Sequence, residues 1–188
     1  MAPSTFPTRI VTDRLLLRCW QPEDAPRLKA AVDANLAHLQ RWMPWAMAEP
    51  SPLEVVTARL EKFAANFHAG TDWVYGIFTP DEQRVLGGTG FHPRQAPGVL
   101  EIGYWIDQDH TRRGLATEAS RALTTIAFSE PTTMVVEIRC DQNNSVSARV
   151  PARLGFTLRE VLVNEGLTPA GAPRDTMVWE MRRSDWPG

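Results

Sequence analysis

The stretch Asp109-His110-Thr111-Arg112-Arg113-Gly114-Leu115-Ala116-Thr117-Glu118-Ala119 decides the fold of this 188-residue chain. It follows a strand-like run at residues 99–107 and opens a helix-like run that continues to residue 128. The first amides of a helix lack partners inside the helix, and the helix dipole adds partial positive charge, so such a turn can hold an anion. From the turn alone, an anion site and an ordinary strand-to-helix connection are equally open.

The turn differs from the two most familiar nucleotide-binding sequences. No Gly-Lys-Ser/Thr ending follows it, so no hydroxyl is placed for magnesium. The three-glycine fingerprint of dinucleotide-binding folds is also absent. These absences disfavour a nucleotide-phosphate-binding enzyme of another class.

The composition limits the class of protein. A length of 188 residues with a formal net charge of −2 suits one domain with a sizeable core and disfavours general nucleic-acid binding. Two distant cysteines, Cys19 and Cys140, predict neither a disulfide framework nor a metal cluster and fit a reducing cytosol. Residues 1–7 lack the apolar core of a signal peptide, and no apolar run is long enough to span a membrane. We therefore expect a cytoplasmic protein without a metal.

The spacing of apolar residues along the chain predicts both strands and helices, and in part of the chain the two kinds of element alternate. Strands are expected at residues 15–20, 73–79, 84–92, 99–107, 134–140, 157–163 and 176–181. Helices are expected at residues 22–34, 35–42, 52–70, 114–128 and 144–154. Asn35 is the predicted cap of the second helix and Gly70 the end of the third. The glycines and prolines of residues 164–175 predict a mobile loop.

Four further motifs accompany the turn in a fixed order. They are Thr12-Asp13-Arg14-Leu15-Leu16-Leu17-Arg18, Trp42-Met43-Pro44-Trp45, Glu101-Ile102-Gly103-Tyr104-Trp105-Ile106, and Asn144-Ser145-Val146-Ser147 followed by Arg153-Leu154-Gly155-Phe156. With them the chain resembles the GNAT superfamily of acyl-CoA-dependent N-acetyltransferases, and within it the RimJ/RimL-type branch. The resemblance covers about residues 12–181, so residues 1–188 are expected to form a single N-acetyltransferase domain.

The resemblance implies a mixed α/β (α+β) fold with a defined opening. A GNAT sheet is mixed and mostly antiparallel, is flanked by helices, and splays between its fourth and fifth strands to admit acetyl-CoA. Here those strands are residues 99–107 and 134–140. Members of the branch often form homodimers, so a homodimer is expected as well.

The resemblance also assigns the anion, which is the diphosphate of coenzyme A. The residues assigned to acetyl-CoA are Tyr104, Trp105, Ile106, Arg112, Arg113, Gly114, Leu115, Ala116, Thr117 and Asn144. Thr111 departs from the family signature, which begins with Gln or Arg, so the site is expected to rely on backbone amides. Arg112 and Arg113 can add charge, the alternative being two solvated surface arginines.

Acetyl transfer to an amine needs a base, stabilisation of an oxyanion and a proton donor for the leaving thiolate. Glu101 is the candidate base, acting through a water, and Gly103 on the same strand face would leave room for a substrate. The alternative is a solvated glutamate on an exposed face.

By resemblance, Asn144 and Ser147 lie near the thioester, with Ser147 as the proton donor to the thiolate. The alternatives are a pure helix cap for Asn144 and, for Ser147, a hydroxyl bonded to a carbonyl one turn earlier. Pro151 removes the helical hydrogen bond to the Ser147 carbonyl. That carbonyl is therefore expected to bond another group, such as water or the cofactor.

The acceptor candidates are Trp42, Trp45 and His92. The two tryptophans can pack over an amine by cation–π contact or can anchor the core. His92 can serve as base or contact, or can be a turn histidine without a function. The expected reaction is acetyl transfer from acetyl-CoA to a primary amine, either a protein N-terminal α-amine or a small-molecule amine. The alternative is a non-catalytic acyl-CoA-binding module, and convergence of the three candidate catalytic residues discriminates between the two.

Overall fold

A computed structural model describes residues 6–168 and 171–188. The strands are β1 (Arg9–Val11), β2 (Leu16–Cys19), β3 (Trp73–Phe78), β4 (Val85–Pro93), β5 (Val99–Ile106), β6 (Val135–Asp141), β7 (Thr157–Leu167) and β8 (Pro173–Arg182). The helices are α1 (Ala25–Ala34), α2 (Leu36–Gln40), α3 (Leu53–Ala69), α4 (Leu115–Ser129) and α5 (Ser145–Arg153). The strands form one sheet in the order β1-β2-β3-β4-β5-β6-β8-β7. The predicted fold class, a mostly antiparallel mixed sheet flanked by helices, is confirmed.

Alternating side chains divide the core between the two faces of the sheet. Leu17 and Tyr75 belong to an apolar cluster that includes the inner faces of α4 and α5. Leu16 and Phe78 point the other way and pack with α1 and part of α3. The sheet therefore separates a face covered by α4 and α5, where the end of α3 also packs through Phe67, from a face covered by α1, α2 and most of α3.

The sheet opens between β5 and β6, which form its one parallel pair among the described residues. The two strands are in register only at Val99↔Val135, Leu100↔Val136 and Glu101↔Glu137. Beyond Glu101 they diverge, and β5 keeps its pairing with β4 alone. The opening lies where it was predicted. Because β1 was not predicted, the strands that flank the opening are the fifth and sixth of the chain and not the fourth and fifth.

The predicted mobile loop at residues 164–175 is wrong for most of its length. β7 continues to Leu167 and β8 begins at Pro173, because the two strands pair as a hairpin. The register shifts between Leu162 and Gly166, and Asn164 takes a positive φ of 54° within this irregularity. The two strands supply each other's backbone hydrogen bonds, so the glycines and prolines of this segment do not prevent it from forming strands. Pro169, which contributed to the prediction, lies outside the described residues.

The Asn35 side chain does not cap α2 as predicted. Its amide nitrogen donates to the carbonyl of Ala31 at 2.8 Å, and its oxygen accepts from the amide of Gln108 at 2.7 Å. Asn35 thus joins the first helices to the segment before the anion turn. The predicted end of α3 is confirmed, because Gly70 takes a left-handed φ of 69°. In the part of the chain that the structure describes, none of the helices is both long and apolar enough to cross a membrane.

Candidate active site

The turn before α4 has the geometry of an anion site. Gly114 precedes the helix with φ 80°, and Arg112 also has a positive φ, 60°. Among the described residues, the amides of residues 112–114 donate no backbone hydrogen bond. The amides of residues 115–117 form the first helical turn, where no intrahelical acceptor exists. Arg112 and Arg113 are exposed beside these amides, so backbone donors and positive charge coincide at one point.

The first sequence motif holds this turn in place. Thr12 Oγ1 donates to Glu118 Oε1 at 2.6 Å, and Arg14 Nε donates to Glu118 Oε2 at 2.7 Å. Arg14 Nη1 also donates to the carbonyl of Arg113 at 2.9 Å. Burial opposes ionisation of Glu118, but the hydrogen bonds from Thr12 and Arg14 lower its pKa below the ordinary value. The contacts explain why the strand motif and the turn occur together.

Replacement of Gly114 by alanine is expected to weaken acetyl-CoA binding. A Cβ at this positive φ introduces strain, and relief of that strain would move the donor amides. We expect the KM for acetyl-CoA to rise about 5- to 30-fold, corresponding to about 1–2 kcal/mol. Gly70→Ala is the matched control, since it has a similar φ of 69° at the end of α3. An unchanged KM in the Gly114 variant would contradict the assignment of the turn.

A cavity of about 290 Å³ passes through the opening between β5 and β6. It brings together the three candidate catalytic residues, Glu101, Asn144 and Ser147, which lie on β5 and at the start of α5. The lining residues are Trp42, Met43, Pro44, Arg94, Glu101, Ile102, Tyr104, Arg139, Cys140, Asp141, Asn144, Ser147, Glu165, Arg174 and Thr176. All three candidate residues therefore line one cavity.

Ser147 is held from two sides at the start of α5. Asn144 Oδ1 accepts from the Ser147 amide at 3.1 Å, so Asn144 caps the helix and also lines the cavity. The Ser147 hydroxyl lies 2.9 Å from the Tyr104 hydroxyl. Tyr104 Oη also donates to the Ser147 carbonyl at 3.2 Å. The carbonyl that Pro151 leaves without a helical donor is therefore bonded by a tyrosine, a partner that was not predicted from the sequence.

Burial keeps two groups beside Ser147 neutral. Burial raises the pKa of Tyr104 far above its ordinary value, although the hydrogen bond with Ser147 lowers it in part. Burial likewise raises the pKa of the Cys140 thiol to about 11, against a smaller lowering by a hydrogen bond with Ser147. Near neutral pH, Tyr104 and Cys140 therefore act as neutral hydrogen-bonding groups, not as bases.

Glu101 is enclosed, so the alternative of a solvated glutamate is wrong. Its side chain is 14% exposed and forms an ion pair with Arg94. Arg139 Nε lies 3.5 Å from Glu101 Oε2, and Arg139 also bonds Glu137 and Glu165. Two guanidinium groups hold this carboxylate at the cavity wall, where it can orient a water or an amine.

The space predicted over Gly103 is already filled. A Cβ at Gly103 would lie 3.3 Å from Nε2 of His92. His92 Nδ1 lies 2.7 Å from Asp72 Oδ1, and this contact orients the ring. His92 thus covers the strand face beside Glu101, but it is not among the residues that line the cavity. The cavity that Glu101 lines is instead shared with Trp42.

The aromatic candidates divide between the cavity and the face covered by α1 to α3. Trp42 lines the cavity, and the Arg41 guanidinium lies 4.8 Å from its ring centroid. Trp45 is 41% exposed and lies 6.4 Å from Trp105 between ring centroids. Trp105 packs toward α1 to α3, and Ile106 is buried in the other cluster. Of the three residues on β5 that were assigned to acetyl-CoA, only Tyr104 lines the cavity.

Five charged residues of this site were not identified from the sequence. Arg94 was placed in a turn, Arg139 in an unremarkable strand, Asp141 directly after that strand, and Glu165 and Arg174 in a loop. The only feature of the sequence that could have pointed to these residues is the alternation of charged residues along strands. That alternation does not show which strands lie next to each other. A larger, more open depression of about 460 Å³ beside the β4–β5 hairpin shares Arg94 but none of the candidate catalytic residues. Among the described residues, no group of three or more His, Cys, Asp or Glu could hold a metal ion.

Comparison with known proteins decides the family. A family model described as the acetyltransferase (GNAT) domain matches residues 14–157. The chain belongs to the GNAT family. A curated GNAT relative, the ribosomal protein uS5 alanine N-acetyltransferase of Escherichia coli, is 29% identical over 182 residues, which cover 95% of this chain and 92% of the relative.

Solved structures share the GNAT fold along nearly the whole chain. RimJ of Mycobacterium smegmatis in complex with CoA-disulfide has a TM-score of 0.84 at 22% identity, covering 100% of this chain and 93% of RimJ. The microcin C7 self-immunity acetyltransferase MccE in complex with acetyl-CoA and AMP has a TM-score of 0.85 at 21% identity, with coverage of 95% and 98%. The predicted assignment to the RimJ/RimL branch of GNAT N-acetyltransferases, with acetyl-CoA as co-substrate, is confirmed.

Proposed function

We propose that this GNAT enzyme acetylates a primary α-amine, with the cavity between β5 and β6 as its active site. The observation that carries the proposal is the convergence of Glu101, Asn144 and Ser147 on one cavity at the opening of the sheet. Binding groups at the turn before α4 and proton-transfer groups at the cavity would hold donor and acceptor together, which can supply much of the rate. A non-catalytic module would not need these residues to converge.

Each group of residues at the site would have its own role in the reaction. The amides of residues 112–117 with Arg112 and Arg113 would hold the diphosphate. Glu101 would accept the amine proton through a water, and Ser147 would give a proton to the leaving thiolate. Asn144 would fix Ser147 by capping α5, and the neutral Tyr104 would orient the Ser147 hydroxyl. Trp42 would form the acceptor wall, while Trp45 and His92 would support it from outside the cavity.

The acceptor is best described as an α-amine of a protein N-terminus or of a small molecule. The Escherichia coli relative is named for an alanine of ribosomal protein uS5. RimL, with 23% identity and a TM-score of 0.83, is named an alpha-N-protein acetyltransferase. The cavity lining carries three arginines, Arg94, Arg139 and Arg174, against three carboxylates, Glu101, Asp141 and Glu165, and so lacks the marked acidic character that would favour a polycationic antibiotic as acceptor.

The direct test is release of free thiol from acetyl-CoA with a panel of small amines and N-terminal peptides. We expect thiol release with at least one α-amine, and mass spectrometry should place one acetyl group on that amine. The same peptide with a blocked N-terminus is the matched control and should give only background thiol. Background release with every acceptor would favour the non-catalytic module.

We further propose a single catalytic domain that acts as a cytoplasmic homodimer. The family match over residues 14–157 and the single sheet support one domain. Two buried free cysteines fit a reducing compartment. The edge strand β7 exposes Val161, Val163 and Leu167, and an exposed apolar edge suits pairing with a second chain.

A further inference from the structure

Two neighbouring positions of β8 present unpartnered polar atoms to the active-site cavity. Arg174 Nε and Thr176 Oγ1 are buried and have no hydrogen-bond partner in the part of the chain that the structure describes. Both residues line the cavity, and as positions two apart they lie on one strand face. Buried donors without partners are costly and uncommon in folded proteins. The pair therefore has the features of a site that a ligand completes.

The charge of Arg174 is also uncompensated, unlike that of the other arginines in the cavity. Arg94 pairs with Glu101, and Arg139 pairs with Glu137 and Glu165. No ion pair is formed by Arg174 within residues 6–168 and 171–188. Among the described residues, the Arg174 guanidinium therefore lies at the cavity without an ion-pair partner, on the same strand face as the Thr176 hydroxyl.

Gly166 makes room for this guanidinium. It is the strand partner of Arg174 on β7, and a Cβ there would lie 3.5 Å from Arg174 Nη2. Thr176 is 2% exposed and pairs with Asp141 on β6. Arg174 and Thr176 are therefore held by a paired hairpin on the far wall of the cavity from β5.

From these observations we infer that Arg174 and Thr176 bind a carboxylate of the acceptor. An arginine with an adjacent hydroxyl donor matches the geometry and charge of a carboxylate. The diphosphate of acetyl-CoA is not the partner, because the turn that would hold it follows β5 and is not part of the cavity lining. The inference rests on the proposed function and narrows its substrates to α-amines that carry a nearby carboxylate.

Paired acceptors that differ only in this group provide the test. Alanine is compared with alaninamide, and an N-terminal Ala-Asp peptide with its Ala-Asn counterpart. The first pair reports an α-carboxylate and the second an acidic side chain, so the two sources are distinguished. We expect the wild-type enzyme to prefer the carboxylate member of at least one pair in kcat/KM.

Arg174→Gln should reduce kcat/KM for the preferred carboxylate acceptor about 10- to 100-fold, the range of a charge-assisted hydrogen bond. In Arg174→Gln, kcat/KM for the matching amide acceptor and the KM for acetyl-CoA should change little. Thr176→Val should lower kcat/KM for the carboxylate acceptor by a smaller factor. Arg174→Lys should lose less kcat/KM than Arg174→Gln, because it keeps the positive charge. Arg182→Gln is the matched control, because Arg182 lies on the same strand with a 67% exposed side chain.

Three results would overturn the subsite. The first is that Arg174→Gln loses kcat/KM equally with carboxylate and amide acceptors. The second is that Arg174→Gln binds acetyl-CoA more weakly. The third is that the wild-type enzyme acetylates its acceptors without preferring a carboxylate. The last result leaves the proposed function intact. Absence of acetylation with any acceptor would reject the proposed function instead. Calorimetric binding of alanine and alaninamide to the CoA-loaded protein would then still decide the subsite, since a carboxylate preference there supports it and equal binding overturns it.

Discussion

Ser147→Ala is expected to lower kcat about 100-fold or more while leaving the KM for acetyl-CoA nearly unchanged. The hydroxyl lies in the cavity, 2.9 Å from the Tyr104 hydroxyl, and its backbone amide is fixed by Asn144. The variant removes the proton donor for the thiolate but keeps the helix cap, so binding should persist. Thiol release at saturating acetyl-CoA, together with calorimetry of acetyl-CoA binding, separates the two effects.

Ser145→Ala is the matched control for this prediction. Ser145 is exposed at the first position of the same helix and does not line the cavity. Its kcat should stay within about twofold of the wild-type value, since isolated surface substitutions change energies by less than about 0.5 kcal/mol. If Ser147→Ala retained full turnover, the proton donor would have to be another group or the solvent.

Asp24→Asn is expected to reduce the free energy of unfolding by about 3–5 kcal/mol. Asp24 is almost fully buried and accepts hydrogen bonds from two nitrogens of Arg18, at 2.6 and 2.8 Å, and from the Gln21 amide at 3.0 Å. The amide would leave the buried Arg18 charge only partly compensated by Glu82. Urea unfolding at neutral pH measures the loss.

The loss should depend on pH in a defined direction. Burial alone would raise the pKa of Asp24, but the hydrogen bonds and charge of Arg18 hold it below the ordinary value. A lowered folded-state pKa stabilises the protein above the unfolded-state pKa of about 3.9. This stabilisation decreases once the pH falls below about 4 and is lost as the pH falls through the folded-state pKa, so the stabilities of the two proteins should approach each other only over that range. Asp33→Asn, which removes an exposed pair with Lys29, should cost less than about 1 kcal/mol.

Local sequence features predicted the parts of the site that depend on short segments. The turn at Gly114 and the cap at Asn144 each follow from a few adjacent residues, and the structure places both as expected. The opening of the sheet was also predicted in the correct place, because the family resemblance located both of its strands. The partner of the Ser147 carbonyl was not predicted, since Tyr104 lies 43 residues away.

The charged lining of the cavity could not be predicted, for a physical reason. Strand alternation tells which residues share a face but not which strands are neighbours. Arg139 contacts Glu101 and Glu165 only because β6 lies between β5 and β8 and β7 returns beside β8. The same limit hid Arg174, whose environment depends on a hairpin that its glycines and prolines made look like a loop.

The contacts of Glu118 join parts of the chain that are far apart in sequence. Thr12 and Arg14 precede it by 106 and 104 residues. Closure of so long a loop costs conformational entropy before the contacts form, and non-local contacts of this kind form slowly. The turn at Gly114 is therefore held by contacts that exist only in the completed sheet. A fragment consisting of the strand, turn and helix alone would lack these contacts, so we expect it to hold acetyl-CoA more weakly than the complete fold.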